Sequence, residues 1–275
     1  MLSIAIESPC SPDGLALIAG SQSALLEVFS PDEIFTLDPS ELDVPTIRFF
    51  VARAQGRPVG CAALADCGDY GEIKRLYVGP EGRGKGVARA LMAALETHAC
   101  LHGQRLMRLE TGDALVPAVS LYKSLGYAVR GPFGDYPEHP ASLFMQKSLA
   151  GGAGQCLCGH VRFAYAGGPN WVAHCHCASC RRACAAPFTT FLGVSDGSWR
   201  WLGPAPAVYA SSPDVERLFC RQCGTQMAYR AGRWPGEQHF YAATLDDPTS
   251  VTPQEHVNYA EHLAWIVLAD GLPRR

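Results

Sequence analysis

From the N-terminus to about residue 148, apolar positions switch repeatedly between the two-residue period of a strand and the 3.6-residue period of a helix. Ile4–Glu7 has the first β-like pattern, and Asp13–Phe29 carries apolar residues at helical spacing after Pro12-Asp13, a plausible helix start. Phe49–Ala54 and Val59–Ala65 are apolar runs on either side of Gln55-Gly56-Arg57-Pro58, which predicts a hairpin. Glu72–Val78 is a further strand, stopped by Gly79-Pro80. The strongest helical pattern is Gly84–Cys100, with Val87, Leu91, Leu95 and Ala99 on one stripe. Leu106–Glu110 reads as a strand and Pro117–Leu125 as a helix ended by Gly126; Val129 and Leu143–Met145 belong to closing strands. The pattern predicts a mixed α/β domain with a central sheet and flanking helices.

Beyond residue 154 the pattern changes to short β segments separated by turns rich in Gly and Pro. These are Val161–Tyr165, Phe188–Leu192, Trp199–Trp201, Ala207–Tyr209, Leu218–Phe219, Met227–Tyr229 and His239–Ala243, with Leu263–Leu268 as a strand that closes the sheet. The small, uncharged stretch 149–154 reads as a linker between a domain at 1–148 and a mainly-β domain at 155–275.

Composition sharpens this division. Residues 1–150 hold 13 basic and 17 acidic residues and all four lysines, and residues 151–275 hold 10 basic and 9 acidic ones. A net charge of −3 in 275 residues gives no general attraction to nucleic acid or an anionic membrane, and neither is expected as a partner. With 48% apolar residues, each half can build a core. The apolar stretches are too short to span a bilayer and the first residues do not resemble a signal peptide, so a cytoplasmic location is expected.

Candidate chemistry in the first half centres on Glu72-Ile-Lys-Arg-Leu-Tyr-Val-Gly-Pro-Glu-Gly-Arg-Gly-Lys-Gly-Val-Ala-Arg-Ala-Leu. A strand runs into a loop containing Gly82, Gly84 and Gly86, and a helix follows at once. Glycines let backbone amides approach a phosphate, the helix start adds unpaired donors, and Arg83 and Lys85 add positive charge, so a pyrophosphate fits. The loop lacks the Lys-Ser/Thr of a P-loop, and the third glycine of a dinucleotide fingerprint would fall on Arg89.

Arg83-x-x-Gly86-x-Ala88, preceded by Leu76-Tyr77-Val78, resembles the acyl-coenzyme A signature of the GNAT acyltransferase superfamily. Ala118-x-x-Leu121-Tyr122-x-x-Leu125-Gly126-Tyr127 resembles its second motif, and the likeness covers residues 2–148. It implies N-acetyl transfer from acetyl-CoA. The pantetheine arm would pair with the backbone of Leu76, Tyr77 and Val78, and the pyrophosphate would take the amides of Arg83, Gly84, Lys85, Gly86, Val87 and Ala88. Tyr122 would be the acid for the departing thiolate, and Glu72, on the strand leading to the site, is the candidate base for the amine. Leu115 stands where the superfamily often has Asn, which removes one cofactor hydrogen bond. The acceptor is a small-molecule amine or a peptide; the acidic stretch Asp32–Asp43 suits a cationic one.

Eight of the 12 cysteines fall between 156 and 223, a density that points to metal thiolates in a reducing compartment. They form Cys156-x-Cys158, Cys175-x-Cys177-x-x-Cys180 and Cys220-x-x-Cys223, with Cys184 outside the clusters. Two divisions are open. The first and third clusters close a four-thiolate structural site while the trio leaves one position free, or Cys177, Cys180, Cys220 and Cys223 form a zinc ribbon; Cys184 is a possible extra ligand.

Gln155-Cys-Leu-Cys-Gly-His-Val-Arg-Phe163, Cys175-His-Cys-Ala-Ser-Cys-Arg-Arg182, Phe219-Cys-Arg-Gln-Cys-Gly-Thr225, His262-Leu-Ala-Trp265 and Asp270-Gly-Leu-Pro273 resemble the glutathione-dependent formaldehyde-activating zinc proteins over residues 154–275. The likeness implies two zinc ions, one on Cys156, Cys158, Cys220 and Cys223 and an active-site ion on Cys175, Cys177 and Cys180. It also implies carbon–sulfur lyase or thiol–aldehyde adduct chemistry on glutathione or another thiol, with Arg181 and Arg182 as candidates to meet its carboxylates. His174 and His176 flank the trio in supporting or surface roles. The chain is thus expected to be bifunctional; the alternative is an acetyltransferase carrying a zinc-stabilised binding module.

Overall fold

The structure, a computed structural model, describes residues 2–34 and 36–275, without the side chain of Asp32, one member of the acidic stretch named above. The chain divides into two compact units. The first holds the chain up to Ala99 with Gln104–Leu149, and the second holds Cys100–Gly103 with Ala150–Arg275. No helix of the described residues is long and apolar enough to cross a membrane.

The first unit contains β1 (Leu2–Ile6), α1 (Pro12–Leu26), α2 (Pro39–Leu42), β2 (Ile47–Ala54), β3 (Arg57–Asp66), β4 (Gly71–Val78), α3 (Val87–Leu101), β5 (Leu106–Gly112), α4 (Val116–Ser124), β6 (Ala128–Arg130) and β7 (Ser142–Ser148). Its seven strands run in the order β1-β2-β3-β4-β5-β7-β6. Ser11 caps α1 by accepting from the Gly14 amide at 3.1 Å, and Pro12 starts the helix. The predicted stripe of α3 is buried throughout: Val87 is 3% exposed, and Leu91, Leu95 and Ala99 are fully buried.

Two features of this sheet position a site. All its neighbours pair antiparallel except β4 and β5, which are parallel and pair only at Gly71↔Met107, Glu72↔Arg108 and Ile73↔Leu109. Beyond Ile73 the two strands continue without pairing, leaving the edge of β4 from Lys74 to Val78 open. On its other side β4 carries a bulge against β3 between Cys61↔Tyr77 and Ala63↔Lys74, and Arg75 takes the left-handed φ of 55° there.

The second unit contains β8 (Gly151–Gln155), β9 (Arg162–Ala166), β10 (Trp171–Cys175), α5 (Ala178–Cys184), β11 (Thr189–Ser195), β12 (Trp199–Trp201), β13 (Ala207–Ser212), β14 (Val215–Phe219), β15 (Gln226–Ala231), β16 (Glu237–Tyr241) and β17 (Glu255–Val257). A seven-stranded sheet, β13-β14-β15-β16-β11-β10-β17, faces a three-stranded one, β12-β9-β8. Phe163 of β9 stacks on Phe240 of β16 at 4.0 Å between ring centres, with Trp199 and Trp201 edge-on to Phe240. Burying each such ring contributes about 1.5–3 kcal/mol. Strand alternation divides the large sheet into two faces: Leu192 joins this core, and its neighbour Phe191 joins a second cluster with Tyr229, Tyr241, Cys175 and Cys180.

Two readings of the pattern are corrected. Residues 151–154 are not a loose linker but most of β8, paired with β9 from Gly151↔Ala166 to Gln155↔Arg162. Their glycines permit close packing, because a Cβ on Gly152 would collide with the Tyr165 ring and one on Gly154 would lie 2.5 Å from the Thr244 carbonyl and 2.7 Å from the Phe163 ring. Leu263–Leu268 forms no strand; Trp265 is 70% and Val267 89% exposed, so the apolar run has no neighbour to pair with. The last position of the large sheet is instead taken by β17, parallel to β10.

Candidate functional sites

The gap between β4 and β5 opens as a cleft of about 130 Å³. Ile73, Lys74, Arg75 and Leu76 line it from β4 and Glu110, Thr111 and Gly112 from β5; Leu115, Ala118 and Tyr122 approach from α4. Tyr122 is 5% exposed, and among the described residues its hydroxyl has no hydrogen-bond partner. Burial first, and then the charge of Glu110, push its pKa above the ordinary tyrosine range, so it stays protonated at neutral pH. Leu115 sits at the start of α4 without a side-chain cap, and it too lines the cleft.

Glu72 lies on β4, the strand that leads to the cleft. It is 5% exposed and does not line the cleft. Lys74 Nζ lies 2.6 Å from its Oε1, and the Tyr136 hydroxyl donates to the same oxygen at 2.7 Å. Lys74 and Tyr136 both line the cleft, so Glu72 bears on it through these two partners. Two carboxylates line the cleft: Glu33, within the acidic stretch named from the sequence, and Glu110 of β5, which sequence reasoning missed. Burial raises the pKa of Glu110 above the ordinary carboxylate value, with a Ser142 hydrogen bond and the charge of Lys74 opposing the shift. Its signal in the sequence was weak, because a polar residue in an alternating strand reads as solvent-facing.

The strand that opens the cleft leads into the glycine loop. After a single 3₁₀ turn, Pro80–Gly82, the chain passes through Gly84 (φ 71°) and Gly86 (φ 75°), conformations that a side chain rarely adopts, and enters α3. Arg83, Gly84, Lys85 and Gly86 are exposed. The first-turn amides of α3, from Val87 onward, have no carbonyl within the helix to bind. Leu76, Tyr77 and Val78 lie on the open edge of β4 immediately before this loop. An extended chain can therefore add along that edge, with an anion held at the helix start.

In the second unit, the cysteine sulfurs gather in two groups: Cys156, Cys158, Cys220 and Cys223, and Cys175, Cys177 and Cys180, each group having all its sulfurs within 4.8 Å of one another. This is the four-plus-three division. The mixed ribbon set does not form, and Cys184 joins neither group. Cys156 and Cys220 belong to the core between the sheets, and Cys175 and Cys180 to the cluster on the other face of the large sheet. Sulfur separations of 3.5 Å (Cys156–Cys158), 3.8 Å (Cys158–Cys220) and 3.6 Å (Cys175–Cys177) match the edge of about 3.8 Å of a tetrahedron with metal–sulfur bonds of about 2.3 Å. Both donor sets fit zinc.

Local structure shapes the trio. Cys177 caps α5, its sulfur accepting from the Cys180 amide at 3.3 Å. Hydrogen bonds from the Cys175 and Cys180 thiols, together with the Cys180 and Ser179 amides, hold Cys177 well below the ordinary thiol range. Asn258 donates to Cys175 Sγ at 3.5 Å. A cavity of about 910 Å³ opens beside Cys177, with Ser179, Arg182, Arg217, Gln226 and Glu261 in its wall. Arg217, 5% exposed, donates to Ser179 Oγ at 2.9 Å and lies 3.9 Å from Cys180 Sγ; its place in an alternating strand gave no sequence signal. Arg181 donates instead to the His176 carbonyl, which supports the loop carrying the cysteine trio.

The flanking histidines are not among the clustered donors. His174 meets Thr190 Oγ1 at 2.8 Å. His176 is 1% exposed and contacts His256 at 2.9 Å, and His256 in turn contacts Asp270 at 2.9 Å. Burial, and then His256, push His176 down to about 4, so it is neutral at pH 7.

Residues 17–127 match the family model described as Acetyltransferase (GNAT) family, and residues 152–261 match that of the glutathione-dependent formaldehyde-activating enzyme. An IAA acetyltransferase of Azospirillum brasilense is 40% identical over 150 residues, spanning 54% of this chain and 98% of the relative. An uncharacterized lyase of Schizosaccharomyces pombe is 34% identical over 84 residues, 30% of this chain and 61% of the relative. Among solved structures, a putative acyl-CoA N-acyltransferase from Klebsiella pneumoniae is 34% identical, covers 54% of this chain and 97% of its own, and aligns with a TM-score of 0.46.

Proposed function

Since the chain belongs to the GNAT acetyltransferase family in its N-terminal half and carries a domain matching the glutathione-dependent formaldehyde-activating enzyme over residues 152–261, we propose that the first unit transfers an acetyl group from acetyl-CoA to an amine in the β4–β5 cleft. The observation that carries this reading is the open edge of β4 running straight into the glycine loop, with Tyr122 and Glu110 in the cleft beside it. The backbone of Leu76, Tyr77 and Val78 would hold the pantetheine arm, and the amides from Arg83 to Ala88 the pyrophosphate.

The amine nitrogen attacks the thioester carbonyl carbon, a C–N bond forms and the C–S bond breaks. Glu110, made a stronger base because burial raises its pKa above the ordinary carboxylate value, accepts the proton that the amine must lose. Tyr122, kept protonated by burial, gives its proton to the departing thiolate. Glu72 positions Lys74 and Tyr136 instead of meeting the substrate directly. An assay of coenzyme A release against a panel of amines tests the reading; a chain that releases no thiol with any of them contradicts it.

For the second unit, the proposal is two zinc ions, one on Cys156, Cys158, Cys220 and Cys223 and one on Cys175, Cys177 and Cys180. The support is the sulfur spacing and the separation of the two groups onto opposite faces of the large sheet. Zinc bound at the trio would supply a Lewis acid that favours a thiol in its deprotonated form. Arg182 and Arg217, in the cavity wall, suit an anionic thiol such as glutathione, and carbon–sulfur lyase or adduct chemistry is the reaction class this arrangement serves. Metal analysis of the purified full chain tests it: two zinc ions, one lost in Cys177→Ser, fit the proposal, and one ion in the unaltered chain favours a purely structural module.

A further inference from the structure

Two cations line the β4–β5 cleft, and they differ in how their charge is balanced. Lys74 is matched by Glu72 at 2.6 Å. Arg75 is held only by neutral oxygens: Nη1 donates to Gln22 Oε1 at 3.0 Å and Nη2 to the Leu37 carbonyl at 2.7 Å. Its Nε is buried and unpartnered, and no carboxylate of the described residues lies within ion-pairing distance. Asp38 acts on it only from further away. A guanidinium that has lost much of its water without gaining a carboxylate is an unmet requirement, and a planar carboxylate is the group whose geometry suits it.

The backbone adds an independent sign. Arg75 sits at the β4 bulge with φ of 55°, a conformation that non-glycine residues hold only when the surroundings enforce it and that occurs often at ligand sites. The bulge interrupts the alternation of β4, so that Lys74, Arg75 and Leu76 in succession contribute to the cleft wall. Of the two carboxylates that line the cleft, Glu33 accepts from Ser30 Oγ at 2.8 Å, and Glu110 has no ion pair of its own within the described residues. One wall thus presents an unbalanced cation and a carboxylate placed to receive an amine proton. The cleft, about 130 Å³, suits a small molecule over a folded protein surface.

We propose that the acceptor of the first unit is a small amine that also carries a carboxylate, an amino acid in the broad sense, with its carboxylate on Arg75 and its amino group toward Glu110. This rests on the acetyltransferase reading above and adds the substrate class to it. Arg75 acts as a specificity residue: it binds the end of the acceptor that does not react.

The test uses the full chain, acetyl-CoA and paired acceptors that differ only by the carboxylate: alanine with ethylamine, phenylalanine with phenethylamine, lysine with cadaverine. At least one amino acid is expected to exceed its decarboxylated partner in kcat/KM by tenfold or more, roughly the value of a charge-assisted hydrogen bond. Arg75→Gln lowers that ratio toward one, mainly through a higher KM for the amino acid, and Arg75→Lys restores part of it. Equal or better use of the amines that lack a carboxylate overturns the proposal, as does a ratio unchanged in Arg75→Gln. Failure of every acceptor, with no coenzyme A released, instead overturns the underlying acetyltransferase reading.

Discussion

Exchanging Glu110 and Glu72 in turn for the amide separates catalysis from support. Glu110→Gln keeps the shape of the side chain and removes the proton acceptor. General bases contribute about 10²–10⁴-fold, so kcat should fall by that factor, equivalent to roughly 2.7–5.4 kcal/mol in the barrier. Its fold should not suffer: burial already disfavours the Glu110 charge, so the neutral amide leaves the melting temperature unchanged or higher. Glu72→Gln does the reverse. It breaks the 2.6 Å contact with Lys74, whose side chain is 20% exposed against 7% for Glu72, so some water remains to offset the loss. A charged hydrogen bond of this kind is worth about 1.5–3 kcal/mol, less than the cost of breaking a fully buried pair. For a unit of this size that lowers the melting temperature by about 4–10 °C. Activity measured well below the melting point should fall less than about tenfold. Steady-state assays and calorimetry on both variants decide the matter. If Glu110→Gln retains more than a tenth of the activity, or Glu72→Gln loses far more of it while melting normally, the assignment of the two carboxylates is wrong.

Other consequences follow from the same geometry. Tyr122→Phe should reduce kcat by about 10²-fold or more with little change in acetyl-CoA affinity, since only the proton donor is lost; an unchanged kcat removes Tyr122 from the reaction. The acid limb of kcat/KM should lie above the ordinary glutamate value of 4.5, because Glu110 must be deprotonated and its pKa is raised. The same shift makes the folded form bind a proton more tightly than the unfolded one, so stability falls as pH rises between the two values; Glu110→Gln should remove that slope in a pH series of melting curves. Gly154→Ala, whose Cβ meets a carbonyl and the Phe163 ring, should destabilise the second unit by about 1–3 kcal/mol, readable by scanning calorimetry. Cys156→Ser should lose the zinc ion proposed for Cys156, Cys158, Cys220 and Cys223 and melt the second unit, whereas Cys177→Ser should lose only the other proposed ion and leave the unit folded, as metal analysis and calorimetry would read.

Local pattern made much of this molecule legible in advance. The buried stripe of α3, the hairpin of β2 and β3 and the end of β4 at Gly79 each follow from side-chain periodicity and turn chemistry within one segment. Short cysteine spacings likewise announced three clusters, though not how those clusters group in space. What the sequence concealed depends on segments far apart in the chain. The parting of β4 from β5, which makes the cleft, is a property of pairing register, and the inward role of Glu110 follows from it. Arg75 looks like an ordinary basic residue in a strand until a bulge turns it. Composition alone misassigned residues 151–154, because glycine serves equally as a flexible joint and as the space a neighbouring aromatic ring requires. The apolar run Leu263–Leu268 misled in the opposite sense, having β character without a strand to pair with.

The most direct test follows both products of one reaction. The full chain is mixed with acetyl-CoA and an amino acid, and free coenzyme A thiol and N-acetylated acceptor are measured in the same samples over time. Equal amounts of the two, both falling together in Tyr122→Phe and Glu110→Gln, are the predicted result. Thiol release without an acetylated amine, or an acetylated amine formed equally fast by both variants, would contradict the account.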